Sequence, residues 1–552
     1  MNQGMFEAPA PRQGHPLRTA LLIIGLVVGC VLLLCGGSMG LVWMADRNVS
    51  RHPAVWRIEN AGGRVWYQQQ PGTQDDADES SAKNANNNSE NFEPPYAPWG
   101  LDGMELSNEP WGPPIAVSLA DCQIDDYLLA EVGELADLVD VRLENTDIGD
   151  DGIAYLQGLT KLQNLNLSGT NVSDDGLAHL RELEQLKTLE LGHTDVRGRG
   201  LKYLAGLKKL SYLSLWQCDL DTSDCDGLAK LTSLESLALT STPADDVLTA
   251  HLARLFRLRI LRLDETQVTD AGLPALAKLR ALRTLDLDGT QVTGPGLAAL
   301  GRLTRLKTLL LSRAPLVTDG LDKMPALPAL EYLGLHQTRI GDSSLASLQR
   351  CKKLCRLALT ETGVTGVGFA NLATLPLDSL YLSGSLINDA GLAEIAKLNA
   401  LKNLSLSNTP VTDVGISQLV ALKAIESIEL VNTSISDAGL KDLARLPALH
   451  WLDLQGTAIS DAGMLELARV KTLSWLDISR TAIGDEGLKR LVSLPEIEQI
   501  RAVDTRITRR GRNDFERQLP DVLETKDEDE ESQSSDSDDD DSDDGATANE
   551  YR

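Results

Sequence analysis

A threonine-centred phrase recurs down this chain at an almost fixed interval, and nothing else in the sequence constrains the fold as much. Aligned on the threonine of "LDLDGTQVTGPGL", the frame falls at residues 122, 146, 170, 194, 218, 242, 266, 290, 314, 338, 362, 385, 409, 433, 457, 481 and 505. Every step is 24 residues except the 23 from 362 to 385. "WLDLQGTAISDAG" from Trp451 and "WLDISRTAIGDEG" from Trp475 show how close two copies come. A fixed period of this length with LxxLxL spacing predicts a solenoid of about 17 stacked coils.

One copy contains the whole design. In "TLDL" (Thr284–Leu287), apolar Leu285 and Leu287 alternate with outward residues, which predicts a short strand with one face inward. Thr290 stands where the chain leaves that strand, so its hydroxyl can satisfy a freed backbone group while its methyl faces the interior. Ser385, Cys122, Cys218 and Ala314 replace it in other copies. Val268 then points inward, and Thr269 or Asp270 can cap the helix of "AGLPALAKL". The aligned carboxylates Asp270, Asp413, Asp437 and Asp461 read as helix-start residues favoured by the dipole. The recurrent Gly152, Gly272, Gly391, Gly439 and Gly487 weaken a helix, so they predict tight contact between neighbouring coils. Strand and helix give each copy an apolar wedge that only stacking buries. The predicted fold class is therefore α/β, a horseshoe solenoid whose inner sheet has an arc of ~80 Å at ~4.8 Å per strand.

The stretch from about Pro114 to Pro520 resembles the leucine-rich repeat family. Its wording, LxLxxTxVTDxGLxxL, is similar to the cysteine-containing subtype found beside F-boxes, with threonine in the usual Cys or Asn position; Cys122 and Cys218 restore the cysteine. It is also similar to membrane-anchored bacterial leucine-rich repeat proteins. The resemblance implies a binding scaffold and no particular ligand. No F-box segment is visible, so a ubiquitin-ligase role is not carried over.

The ends differ in composition. "ALLIIGLVVGCVLLLCGGSMGLVWM" (Ala20–Met44) carries no charge, and 25 residues span a ~30 Å hydrocarbon layer with some tilt. It predicts a single uncleaved transmembrane helix. "VVGC" at Val27–Cys30 resembles the lipobox of bacterial lipoproteins, which leaves a lipid anchor on Cys30 as the alternative; the apolar run continues well past Cys30, which such an anchor does not need. The flanking arginines (Arg12 and Arg18 before, Arg47, Arg51 and Arg57 after) do not fix orientation, because long domains translocate regardless of charge. The repeats are expected outside the cytoplasm. "HPAVWRIENAGGRVWYQQ" (His52–Gln69) reads as a helix stopped at Gly62–Gly63 and then a strand, a cap for the first coil. "RITRRGRNDFERQLPDVL" keeps the frame at Thr505 but puts Arg512 in a leucine slot, so it reads as a closing repeat covered by Phe515 and Leu519. The expected organisation is a tail (1–19), a membrane helix (20–44), a cap (45–71), a polar, proline-rich linker (72–113), the repeats (114–519) and an acidic disordered tail (520–552).

Charge and side-chain inventory remove several functions. The formal net charge is -28, which argues against nucleic acid as a partner. From Asp527 to Asp544, 12 of 18 residues are acidic and none is aliphatic or aromatic, so this run cannot bury itself. Loose divalent-cation binding or folding back onto the basic closing segment (Arg501, Arg506, Arg509, Arg510, Arg512, Arg517) are alternatives to a solubilising role. Seven cysteines without a CxxC pair indicate neither a disulfide framework nor zinc. The seven histidines lack metal-ligand spacing, and no GxSxG, HExxH, P-loop or dinucleotide motif occurs. "GVTGVG" (Gly363–Gly368) resembles a phosphate loop but falls in the repeat's VTDxG slot, which explains it. No catalytic residue, metal or cofactor is predicted.

The outward residues of each strand lie six, four and two positions before the frame. There the sequence places Tyr212, Trp216, Tyr332, His336, Tyr381, Trp451 and Trp475, with Asp453 and Asp477 following the tryptophans. Aromatic residues are only 4% of the chain, and half of those in the repeats fall in these columns. Strand propensity favours aromatics too, but not to this degree. Asp264, Asp286 and Asp288 add negative charge, and Arg142, Arg262 and Arg356 make the face mixed. The predicted function is recognition of a protein or peptide on the concave sheet; a structural spacer or surface coat is the alternative.

Overall fold

The computed structural model describes residues 52–68, 106–107 and 113–525. The apolar run Ala20–Met44, Cys30, most of the polar linker and the acidic run after Thr525 lie outside the described residues. Among the described residues no helix is long and apolar enough to cross a membrane.

The chain winds as a succession of coils, each contributing three residues to one continuous parallel sheet. From β3 (Pro114–Ser118) onward each strand pairs with the strand of the next coil, ending at Leu523–Glu524. Partners are 24 residues apart, as in Thr284↔Thr308, but 23 apart at the closing pair Ile500↔Leu523 and, within the repeats, at Arg356↔Ser379. The latter step is where the sequence frame shortens. The ladder runs past the strands into the turns, where Leu143 N–H donates to Asn166 O at 2.9 Å and Asn145 N–H to Ser168 O at 2.9 Å. Behind the sheet, leucines from every coil form one core, most of them fully buried. The outer side carries helices such as Asp413–Leu419, Asp437–Leu443 and Asp461–Leu467. Strands pack at ~4.8 Å but α-helices at ~8–10 Å, so stacking bends the coils with the sheet inside.

Each turn after the strand is built the same way. The hydroxyl of Thr290 donates to Leu287 O at 2.6 Å, and the same bond recurs at Thr146, Thr266, Thr457 and Ser385. The sequence implied this use of the hydroxyl. It did not imply the residue before it, which is left-handed in every coil, from Asn145 (φ 56°) to Arg480 (φ 53°) and Gly456 (φ 68°). Cys218 departs from the pattern: its thiol donates to Leu191 O of the preceding coil at 3.0 Å. Ala314 has no hydroxyl to offer and is 2% exposed. Ala314→Thr should restore the bond to Leu311 O and raise stability by about 1 kcal/mol. Urea unfolding of the two forms checks this.

The repeated aspartates do more than begin helices. Asp413 heads its helix, but its Oδ1 accepts Ser436 N–H at 2.9 Å and its Oδ2 accepts the Ser436 hydroxyl at 2.5 Å. Asp389 binds Thr412, Asp437 binds Ser460 and Asp485 binds Thr508 in the same way. The same serine or threonine oxygen caps its own helix, as Ser436 does for Ala438 N–H. A ladder of carboxylates therefore ties each coil to the next. It also explains the glycines: a Cβ on Gly439 would sit 2.5 Å from Asp413 Oδ1, and one on Gly415 2.4 Å from Asp389 Oδ1. In "GVTGVG", Asp342 accepts the N–H groups of Thr365, Gly366 and Gly368 at 3.0–3.1 Å. A carboxylate of the chain itself occupies what looked like a phosphate cradle.

Both ends of the described solenoid are covered. Helix α1 (Pro53–Asn60) buries Ala54, Val55 and Ile58, and Gly62 (φ 94°) turns the chain into β1 (Arg64–Gln68). Strand β1 runs antiparallel to β3 and to β2 (Leu106–Ser107), so the first edge of the parallel ladder is paired. At the other end, the helix Arg509–Glu516 seals the last coil with Phe515, which is 2% exposed, while Leu519 packs partly buried beside it.

Candidate protein-binding face

The structure places every residue singled out above on the sheet side, but it does not gather them into one site. The strands bearing Tyr212 and Trp475 are 11 coils apart, ~50 Å along the ladder. Trp216 lies over the backbone of Gly192, where an added Cβ would come within 1.8 Å of its Nε1, and it stacks beside His193 at 6.1 Å. The Tyr332 ring receives the Arg356 guanidinium at 5.3 Å. Tyr332 and His336 share a coil, and Tyr381 lies two coils further on. These aromatics are largely engaged by their neighbours.

Trp451 and Trp475 differ. Direct register partners on adjacent strands, they stack with ring centroids 4.3 Å apart and planes 3° from parallel. Both remain partly exposed. Their column neighbours are polar, Ser427 on one side and Gln499 on the other, so the indole pair forms an isolated apolar block. Two residues along each strand lies a row of carboxylates: Glu429, Asp453 and Asp477, with Arg501 closing it. Ser405 donates its hydroxyl to Glu429 at 2.6 Å, and Asp453 accepts Gln455 N–H at 2.9 Å. Asp477, 3% exposed, accepts Ser479 N–H at 2.7 Å.

Stacking like charges at strand spacing on a half-desolvated sheet has an electrostatic consequence. Burial, and then the neighbouring Asp477 and Glu429, push the Asp453 carboxyl up to about 7. Burial with Asp264 and Asp288 does the same to Asp286, up to about 7, and Asp288 itself rises to about 6 through burial. Glu190 reaches about 7 through burial and the charge of Glu144. Each group would be relieved by a cation brought to the face. Sequence reasoning found Asp453, Asp477, Asp286 and Asp288 but missed Glu190 and Glu429. Both sit in the same outward column, so reading that column for acids as well as aromatics would have found them. Among the described residues no three His, Cys, Asp or Glu side chains are grouped to hold a metal ion.

A short inner strand, a hydroxyl turn and an outer helix, repeated around an open parallel sheet, define a leucine-rich repeat solenoid. The family model described as Leucine Rich repeat matches three segments of the chain, residues 158–181, 278–301 and 471–492. No curated protein sequence matches the chain. Among solved structures, a leucine-rich repeat protein of Leptospira interrogans is 18% identical, covering 73% of this chain and 100% of its own, with a TM-score of 0.50. A chain of the mouse RP105/MD-1 complex is 18% identical, covering 71% of this chain and 76% of its own, with a TM-score of 0.51. An internalin from Listeria monocytogenes is 21% identical over 59% of this chain and 83% of its own, with a TM-score of 0.42. The first two likenesses are likenesses of fold.

Proposed function

We propose that the chain is a membrane-anchored, non-catalytic leucine-rich repeat protein that recognises a protein or peptide with its sheet face. The Trp451–Trp475 stack carries this reading. Coil stacking needs leucines facing in; it does not need two coplanar indoles facing out beside polar neighbours. Large rigid aromatics with a polar edge are what binding hot spots are made of. The carboxylate row beside them favours a partner presenting Lys or Arg, which would meet aromatic faces and acid together. Tethering rests on Ala20–Met44, with the repeats outside the cytoplasm; lipidation at Cys30 is the alternative route to the membrane.

A spacer or surface coat is the competing reading, and one experiment separates the two. Peptides are selected from a random display library on the full chain held in nanodiscs, then tested on the Trp451→Ala/Trp475→Ala variant. A binding face yields peptides enriched in Lys or Arg that fail on the variant. A spacer yields none, or peptides that bind both proteins alike.

A further inference from the structure

In this acidic protein one flank is basic, and the repeat frame shows why. The six residues that descend from the outer helix to the strand read "RLFRLR" at 254–259, "KLRALR" at 278–283 and "RLTRLK" at 302–307. Leucines at the second and fifth places are buried, and the remaining places face outward. Nine of those 18 positions are Arg or Lys and none is acidic. Successive coils stack these cations in register, with Arg283 N–H bonded to Arg259 O at 2.7 Å and Lys307 N–H to Arg283 O at 2.7 Å.

In other coils, cations on this flank meet acids of the neighbouring coil, as where Lys402 meets Glu426 at 2.8 Å and Lys161 meets Asp137. The basic block is bounded the same way: Arg259 pairs with Glu235 at 2.9 Å and Lys307 with Glu331 at 2.9 Å. The seven cations between those two pairs make no ion pair among the described residues. Like charges at coil spacing repel, so a fold that leaves them unpaired holds them at an electrostatic cost. In their midst Phe256 is 64% exposed. Beside it a shallow depression of about 390 Å³ is lined by Phe256, Ala277, Lys278, Arg280 and Arg302.

We propose that this flank, centred on Phe256 and the aligned Arg254, Lys278 and Arg302, rests on an anionic phospholipid surface. Exposed cations spread over one side with an aromatic among them match what such a surface offers: phosphates in a plane and an apolar layer beneath. Single-stranded nucleic acid fits less well, because it uses successive aromatic platforms along a groove and this flank has one aromatic. The chain's own acidic run, Asp527–Asp544, has no apolar side chain to meet Phe256. This contact is distinct from the partner-binding face and does not require the indole pair.

The photoreactive analogue p-benzoylphenylalanine, placed at position 256 of the full chain, tests it. The protein is mixed with vesicles of phosphatidylcholine, with or without roughly one third phosphatidylglycerol. After irradiation, adducts are identified by mass. Lipid adducts should be about tenfold more abundant in the anionic vesicles and should fall about tenfold in half-molar salt. Arg254→Gln/Lys278→Gln/Arg302→Gln should lose them while melting at the same temperature, since all three side chains are exposed. Flotation with the vesicles reports membrane tethering separately. Lipid adducts indifferent to lipid charge, adducts to residues 526–552, or no lipid adduct would each overturn the proposal.

Discussion

Alanine at position 391 is expected to destabilise the solenoid by about 3 kcal/mol, at the upper end of what one added methyl costs in a packed interior. In most coils the repeat glycine faces an aspartate carboxylate, which can swing aside at the cost of its hydrogen bonds. Coil 362 has Gly366 where that aspartate would be, and its backbone turns left-handed there (φ 102°). Gly391 therefore packs on main chain: an added Cβ would lie 2.1 Å from Thr365 O and 2.8 Å from Gly366 Cα. Backbone cannot rotate away, so the coils must separate and the sheet on both sides must yield. Gly158→Ala is the control, because nothing lies within 4 Å of its added Cβ. Urea unfolding should show Gly391→Ala shifted strongly to lower denaturant and Gly158→Ala nearly unmoved. Similar midpoints for the two variants would show that the coils are looser than described.

Acidification from pH 8 to about 5.5 is expected to stabilise the protein. Glu190, Asp286 and Asp453 have folded-state pKa values raised to about 7, and Asp288 to about 6. Unfolded, these carboxylates titrate near 4. Between those limits the native state holds protons that the unfolded state has released, so unfolding stability falls as pH rises. The contribution is fully present below about pH 4 and is lost as pH climbs through 6 to 7. At about 1.4 kcal/mol per pH unit, discounted for relaxation around partly exposed groups, each of the three main carboxylates accounts for roughly 2 kcal/mol. Asp286→Asn can keep the 3.1 Å acceptor bond from Asp288 N–H without the charge. It should raise stability at pH 8 by a similar amount and flatten the pH profile. Melting followed by circular dichroism between pH 5.5 and 8 decides the matter; a protein more stable at pH 8 would contradict the buried-carboxylate description.

The sequence made the architecture legible because the period, the inward leucines and the hydroxyl turn are each dictated within one coil. The single shortened step was visible as well, at 362 to 385, and the strands pair across it at Arg356 and Ser379. What lay hidden depends on neighbours. The left-handed residue before each threonine escaped notice because Arg313, Glu361 and Arg480 occupy it as well as glycine. Gly169, Gly289, Gly384 and Gly456, with Asn145, Asn408 and Asn432, were the signal in that column. The bridging role of the aspartates could not be seen in one copy, since each acceptor and its donor are 23 residues apart.

The candidate face was partly legible for the same reason. Period and alternation put Trp451 and Trp475 side by side, but only side-chain packing makes them coplanar. Packing also turns Trp216 down onto Gly192 and His193, away from the role its column suggested. The basic flank was missed because a net charge of -28 averages over the chain, whereas its cations are concentrated in three consecutive coils.

The indole pair is tested most directly by titrating one selected peptide into the full chain and into Trp451→Ala/Trp475→Ala, with the melting temperatures of both recorded. If the stacked pair is the centre of the binding face, the variant keeps its fold and loses at least ~2 kcal/mol of affinity, about thirtyfold. Equal affinities for the two folded proteins would contradict that assignment.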